Sequence, residues 1–429
     1  VIFLKTTFPG GIHPPYNKEL TASKAIVEMP LPKRVRLLLQ QHIGAPCKPL
    51  VKKGDVVTVG QKIADSDAFV SAPIIASVGG EVAAVDAEGI EIVTDPEHSR
   101  FTGQAPKYDT PEDIRQIIRE AGIVGMGGAA FPTHVKLSPP EGKEVHTLII
   151  NGAECEPYLS TDHRVMVEQG EELIEGIKIL LRACGAQKAI IGIEKNKPDA
   201  IENLSRLCRD EENIRVEAVP VVYPQGGERQ LIKSLTGREV PVGGLPLDLG
   251  IVVQNVATAV AVHQAVNLGR PLIDRVVTVS GRGVAEPANV RVRLGTPIRD
   301  LIEFCGGMRD DAVKVVNGGP MMGKAVASLD DPVTKGTSGI LVLTEAEVRI
   351  YEERTCIRCA RCVDACPMRL MPNYLALYSR KSMYNDAEQI HLFNCIECGC
   401  CSFVCPARIP IVHYIQKAKH EINSKRRKK

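Results

Sequence analysis

The chain has no tryptophan, and aromatic residues make up only 4% of its 429 positions. Surfaces that stack bases need aromatic platforms, so a nucleic-acid partner is not expected. Net charge is nearly absent too, with 53 Lys and Arg against 51 Asp and Glu. No stretch is apolar enough to span a bilayer. The best one, GIVVQNVATAVAVHQAVNLG from Gly250, holds Gln254, Asn255, His263, Gln264 and Asn267, too many polar groups for a lone span. The opening VIFLKTTFPGG lacks the basic lead and long apolar run of a secretory leader. The expectation is a cytoplasmic protein that meets a membrane only from its surface. The length exceeds what one core usually serves and implies about two to four domains.

What is present is unevenly placed. Of the 53 basic and 51 acidic residues, 14 and 7 fall from Tyr351 onward, leaving 39 and 44 before it. The tail SKRRKK reads either as a solvated end or as an anchor for anionic lipid or an acidic partner. Nine of the 14 cysteines lie between Cys356 and Cys405. In a cytosolic chain such clustering points to metal rather than disulfides. The runs CIRCARCVDACP and CIECGCCSFVCP both follow C-x2-C-x2-C-x3-C-P, the bacterial ferredoxin pattern for [4Fe–4S] clusters. Three closely spaced cysteines wrap one cubane, and the fourth, before a proline, reaches the other. The expected ligand sets are Cys356, Cys359, Cys362 and Cys405 for one cluster, and Cys395, Cys398, Cys401 and Cys366 for the second. Two zinc sites are the alternative, although zinc favours paired C-x2-C knuckles. Cys400 is off the pattern and reads as a spare thiol. Arg358 and Arg361 add positive charge beside the first cluster. The segment between the runs, 368–394, reads as helical. Cys47, Cys184, Cys208 and Cys305 read as small core residues.

Near the N-terminus, VKKGDVVTVGQKI alternates short β-rich runs with glycine turns. The pattern resembles lipoyl and biotinyl barrel-sandwich domains. The hairpin tip, Asp65 to Pro73, has no lysine to carry a swinging arm, so a docking or structural module is expected.

The stretch GIVGMGGAAFPTHVKL from Gly122 fits G-x-G-x-x-A by letter. A dinucleotide loop follows a strand and opens a helix. Here the helix comes before the loop: Thr110 suits an N-cap, Pro111 the first turn, and Ile114, Ile117 and Ile118 share a face. Phe131-Pro132 does not read as a helix start, and no GK[ST] follows. The loop is either a plain turn or a cradle of bare N–H groups for a flat or anionic ligand. Downstream, HTLIINGAE, KAIIGIE and IRVEAVPVV read as strands. VMVEQGEELIEGIKILLRACG, KPDAIENLSRLC, GERQLIKSLTG and ATAVAVHQAVNLG read as helices. This is an α/β layer on a parallel sheet, with NGAECEP, YPQGGE and QNVAT at strand ends, where such sheets bind ligands.

The glycine loop and these three motifs, in this order, resemble the NADH- and FMN-binding subunit of respiratory complex I. With GGIHPP at Gly10, the barrel and the ferredoxin runs, the chain resembles the C-subunit family of the Rnf ion-translocating ferredoxin:NAD oxidoreductases. The resemblance implies an α/β multidomain chain: a barrel-sandwich domain over 1–105, an FMN/NADH-binding α/β domain over 106–270, a small β-grasp domain over 271–345, and a helical two-cluster ferredoxin-like domain over 346–429. It implies that Gly125, Gly127, Gly128 and Lys136 hold the FMN phosphate and ribityl chain. Asn151, Glu154, Tyr223, Gly226, Asn255 and Thr258 complete the pocket, and Phe131, Glu156 and Glu228 lie near NAD(H). Met126, Ala153, Gly227, Gln254 and Leu137 depart from the complex I pattern, which puts flavin affinity and nucleotide contacts in question. Glu154 and Glu156 also read as solvated loop carboxylates. GGPMMG at Gly318 reads as a turn. The implied role is electron transfer between NAD(H), FMN and two [4Fe–4S] clusters, with no side-chain nucleophile, since a flavin joins two-electron and one-electron chemistry. Implied partners are other Rnf subunits at the cytoplasmic side of the membrane, with ferredoxin reached through one of them. A cobalamin-reducing flavoprotein and a flavin-free wiring subunit are the rival readings.

Overall fold

The run Thr147–Gly152 is apolar on both faces and almost wholly buried, as a central parallel strand must be. It pairs in parallel with Lys188–Glu194 on one side and Ile251–Asn255 on the other, and Ile214–Val219 extends the sheet beyond Lys188–Glu194. The chain thus builds outward from the first strand and then returns to its other side. That reversal opens a crevice at the carboxyl ends of Thr147–Gly152 and Ile251–Asn255. The structure, a computed structural model, describes residues 7–348 and 352–427.

Helices Gly170–Cys184 and Val256–Leu268 pack against one another beside this sheet. A Cβ at Gly176 would stand 1.9 Å from the Ala259 carbonyl oxygen, so glycine permits the close approach. The continuous helix expected over VMVEQGEELIEGIKILLRACG is instead two, Thr161–Glu168 and Gly170–Cys184, with Gln169 off helical geometry between them. A Cβ at Gly170 would meet Leu207 at 2.7 Å and Asn203 at 2.8 Å, so the second helix starts hard against its neighbour. The helix before the glycine loop spans Pro111–Glu120, closed by a capping box between Thr110 and Asp113. The loop differs from expectation at its far end. One helical turn, Thr133–Lys136, opens directly after Pro132, a place where the missing N–H of proline costs nothing.

Two small antiparallel sheets, of four and three strands between Arg34 and Thr94, form the N-terminal sandwich. Its lysine-free tip docks on the α/β unit. Phe69 meets His134 edge to face at 5.8 Å, and Arg119 binds Asp65 at 2.9 Å. A fourth, six-stranded sheet contains Asp274–Ser280, Ala288–Arg293, Ala312–Asn317 and Gly339–Thr344, with helix Ile298–Phe304 following the second of these strands. Its edge strand is Ile26–Glu28, paired in parallel with Ala288–Arg293, so the segment ahead of the sandwich belongs to this sheet.

The C-terminal unit is helical and has its own core, including Leu375, Ala387, Leu392, Ile411 and Ile415. Pro372–Arg380 and Tyr384–Gln389 lie between the cysteine runs, and Ile411–Arg427 packs across them. The two runs share one backbone. Arg358 and Ala360 in the first, and Glu397 and Gly399 in the second, all have positive φ at matching positions. Arg369 and Arg408 repeat the match after each Cys-Pro. No described helix is long and apolar enough to cross a membrane.

Candidate functional site

At the strand reversal lies a cleft of about 470 Å³, within the usual range for a ligand of cofactor size. Asn151 and Asn255 are register partners at its floor. Asn255 accepts the Ala257 N–H at 2.9 Å, capping the helix behind it, and donates Nδ2 to Asp162 at 2.7 Å. Asn151 donates Nδ2 to the Gly226 carbonyl at 2.8 Å. These bonds tie the strand-end motifs together.

The glycine loop arches over that floor. Gly125 N–H donates to the Phe131 carbonyl at 2.8 Å and closes the loop. Met126 N–H donates to Thr258 Oγ1 at 3.0 Å, and the buried Arg275 guanidinium holds the Met126 carbonyl. A Cβ at Gly127 would meet Asn255 Nδ2 at 2.6 Å, whereas one at Gly128 would meet nothing within 4 Å. Gly127 therefore lets the loop lie on Asn255, and Gly128 bares its backbone to the cleft. Lys136 Nζ binds Glu228 at 2.9 Å and the Val253 carbonyl at 3.2 Å.

Gly125, Gly127, Gly128, Phe131, Lys136, Asn151, Glu154, Glu156, Tyr223, Gly226, Glu228 and Asn255 all line the cleft. Thr258 does not; it is fully buried behind the loop and holds it from below. Glu154 and Glu156 are not solvated. Glu154 accepts the Asp162 N–H at 2.7 Å and lies 3.5 Å from the buried Lys18 ammonium. Glu156 accepts the N–H groups of Met321 at 3.1 Å and Met322 at 2.9 Å, and burial pushes its carboxyl up to about 7.

Sequence reasoning missed Asp162, Met322 and Ser338 on the cleft wall, and Lys18 beneath it. Burial, then the Glu154 charge, push Asp162 up to about 7. Its place at the start of a helix just after the NGAECEP motif was the available signal. Lys18 and the 318–323 loop are distant in sequence and gave none.

The residues fit a flavin mononucleotide. Bare N–H groups at Gly127 and Gly128 suit a phosphate or sugar chain, and Lys136 supplies the cation. Gln254 Nε2 is a buried donor on the wall with no hydrogen-bond partner among the described residues, a feature that calls for an outside acceptor.

The cysteines fall into two groups. Cys356, Cys359, Cys362 and Cys405 line one cavity; Cys366, Cys395, Cys398 and Cys401 line another. Cys356 and Cys359 are exposed, whereas Cys366, Cys398 and Cys401 are buried. Sulfurs set around a space fit a cubane. Cys398 and Ile396 also line the cleft, and Tyr223 donates its hydroxyl to the Cys398 carbonyl at 2.8 Å. The buried set therefore adjoins the cleft. Cys400 is fully buried beside it, 3.9 Å from the Tyr223 carbonyl. Cys47, Cys184, Cys208 and Cys305 are buried core residues, as expected.

Comparison with known families matches four stretches of the chain. Residues 6–96 match the RnfC barrel sandwich hybrid domain, 118–264 the Nuo51 FMN-binding domain, 276–325 the SLBB domain and 349–406 the 4Fe-4S dicluster domain. The C-subunit of the proton-translocating ferredoxin:NAD(+) oxidoreductase complex of Clostridium ljungdahlii is 47% identical over 97% of this chain and 94% of its own length. Its counterpart in the Na(+)-translocating complex of Acetobacterium woodii is 44% identical over 98% of both.

The chain belongs to the Rnf C-subunit family. Membership extends to the C-subunit of the ion-translocating oxidoreductase complex of Rhodobacter capsulatus, 44% identical over 98% of this chain and 84% of its own. As a member of the Rnf C-subunit family, the chain combines an FMN-binding domain with a dicluster domain, which makes it an electron-transfer protein. An NAD+-reducing [NiFe]-hydrogenase shares the fold at a TM-score of 0.51, with 20% identity over 84% of this chain and 76% of that one.

Proposed function

We propose that this protein is the peripheral, NADH-facing arm of a membrane-bound ion-translocating ferredoxin:NAD oxidoreductase. It exchanges electrons between NAD(H) at the cleft and a partner protein at the outer cysteine set. Of the units 1–105, 106–270, 271–345 and 346–429, the sandwich of the first serves as dock and the others as flavin domain, β-grasp bridge and cluster domain, with strand Ile26–Glu28 joined to the bridge. The observation that carries the reading is Cys398, which lines both the cleft and the buried cysteine cavity.

Bound FMN supplies the junction between two-electron hydride chemistry and one-electron transfer. The chain's own residues do the holding. Gly127 and Gly128 offer backbone donors, and Lys136 offers charge to the phosphate. Asn151, Gly226 and Asn255 shape the floor. Phe131, at the end of the glycine loop, and Glu228, opposite Lys136, are the nucleotide-side residues. Glu154 and Asp162 form an acidic floor that Lys18 and Arg275 offset. The set beside the cleft, Cys366, Cys395, Cys398 and Cys401, holds the inner cluster; Cys356, Cys359, Cys362 and Cys405 hold the outer one. Exposed Arg358 and Arg361 at the outer set suit an acidic redox partner, through which ferredoxin is reached. The site then faces the cytoplasmic side, where NAD(H) is available.

Anaerobic protein loaded with FMN should lose flavin absorbance on NADH addition and then develop reduced-cluster EPR signals. If FMN washes out and only dithionite reduces the clusters, a wiring subunit without flavin is the correct reading.

A further inference from the structure

The GGPMMG segment is a motif that the electron-transfer reading leaves unused, and it sits where the two cofactor sites meet. Its Met321 and Met322 N–H groups both donate to the Glu156 carboxylate. Gly319 has no room for a side chain: a Cβ there would stand 2.2 Å from Glu156 Oε2. Met322 lines the cleft. Met321 turns the other way. It packs with Cys398, Cys400, Ala365 and Tyr223, and a Cβ on Gly399 of the inner cysteine loop would meet the Met321 carbonyl at 3.0 Å. One short loop from the six-stranded sheet thus touches the cleft with one methionine and the inner cluster loop with the one before it.

We propose that residues 318–323 are a clamp that fixes the distance and packing between the flavin cleft and the inner cluster, and that Glu156 is its anchor. Glu156 is then a positioning residue rather than a nucleotide contact. Both carboxylate oxygens are engaged by backbone donors, and an ionised acceptor holds two N–H groups more strongly than a neutral small side chain can. The clamp rests on the electron-transfer reading, since it is the step from cleft to cluster that it governs. Electron passage falls off steeply with small displacements, as any position-limited step does.

The test uses full-length protein holding FMN and both clusters, compared with Glu156→Ala, Glu156→Gln and Gly319→Ala. Stopped-flow absorbance reads flavin reduction by NADH, rapid-freeze EPR reads cluster reduction, and amide hydrogen exchange reads the loop. The clamp predicts that Glu156→Ala and Gly319→Ala keep the wild-type dependence of flavin reduction on NADH concentration. Cluster reduction then slows by at least about tenfold. Exchange at Met321 and Met322 rises, and the inner-cluster EPR line broadens. Glu156→Gln, which keeps one acceptor, recovers part of the rate. Loss of the inner cluster's iron with the outer cluster and flavin retained supports the clamp equally. A raised half-saturating NADH concentration with unchanged cluster reduction overturns it and makes Glu156 a nucleotide contact. So does loss of flavin with both clusters retained. Wild-type protein that fails to take up FMN or respond to NADH instead sinks the functional reading, whatever the variants do.

Discussion

Lys136 and Glu228 face each other at the cleft mouth, both partly exposed. A flavin phosphate and Glu228 compete for the same ammonium. Glu228→Gln should therefore tighten FMN binding severalfold, whereas Lys136→Ala should weaken it by about 1.5–3 kcal/mol, the usual worth of a hydrogen bond to a charged group. Quenching of flavin fluorescence on titration measures both. The paired glycines separate in the same assay. Gly127→Ala forces Asn255 to move and should lower both the melting temperature and flavin affinity. Gly128→Ala, with free space around its Cβ, should leave melting unchanged and lower affinity alone. Asp162 gives a pH signature. Unfolded, its carboxyl ionises near 4; folded, it is pushed up to about 7. Between those values the unfolded chain has lost the proton that the folded chain keeps, so its contribution to stability falls as pH rises, and levels off above about 7. Asp162→Asn keeps an acceptor for Asn255, and should raise the melting temperature at pH 8 more than at pH 5.5. Little of this residue-scale detail was legible beforehand. The glycines, Lys136 and the asparagines stand in short motifs, but Asp162 and Lys18 matter through burial, which no local pattern reports.

The strand-end motifs were legible because a parallel sheet buried on both faces leaves polar residues only where its strands stop. The helix before the glycine loop was legible from its cap and its isoleucine face. The helical break at Gln169 was not, because it comes from Gly170 meeting a helix some thirty residues further along the chain. The N-terminal strap shows the same limit. GGIHPP reads as part of a barrel, yet Gly11 N–H donates to the Ala365 carbonyl at 3.1 Å, and Ile12 exchanges backbone bonds with Tyr223 at 2.9 Å. A Cβ at Gly10 would press on the Cys366 carbonyl group at 2.8 Å. The strap therefore holds the inner cysteine loop against the cleft. Gly10→Val should cost iron from the inner cluster and leave FMN binding intact, as read by iron content against flavin content. Tyr223→Phe removes the bond to Cys398 and should cost about 1 kcal/mol, seen as a lower melting temperature of the loaded protein.

On the scale of the molecule, four units meet around one line from cleft to surface. The sandwich tip braces the α/β unit, the six-stranded sheet sends its methionine loop between the cofactor sites, and the cluster unit presents a mostly buried cysteine set inward and a partly exposed one outward. The two runs are near repeats in sequence, so which one faces the cleft could not be read from them; the packing of Cys398 against Tyr223 decides it. The proposed electron order runs from cleft to inner set to outer set. It is tested by EPR on FMN-loaded Cys398→Ser protein, in which the inner cluster is lost, with Cys359→Ser as the converse. NADH should bleach the flavin of Cys398→Ser yet leave its outer cluster oxidised until dithionite is added, whereas Cys359→Ser should still show an NADH-reduced inner cluster. An outer cluster that NADH reduces at the wild-type rate in Cys398→Ser would contradict it.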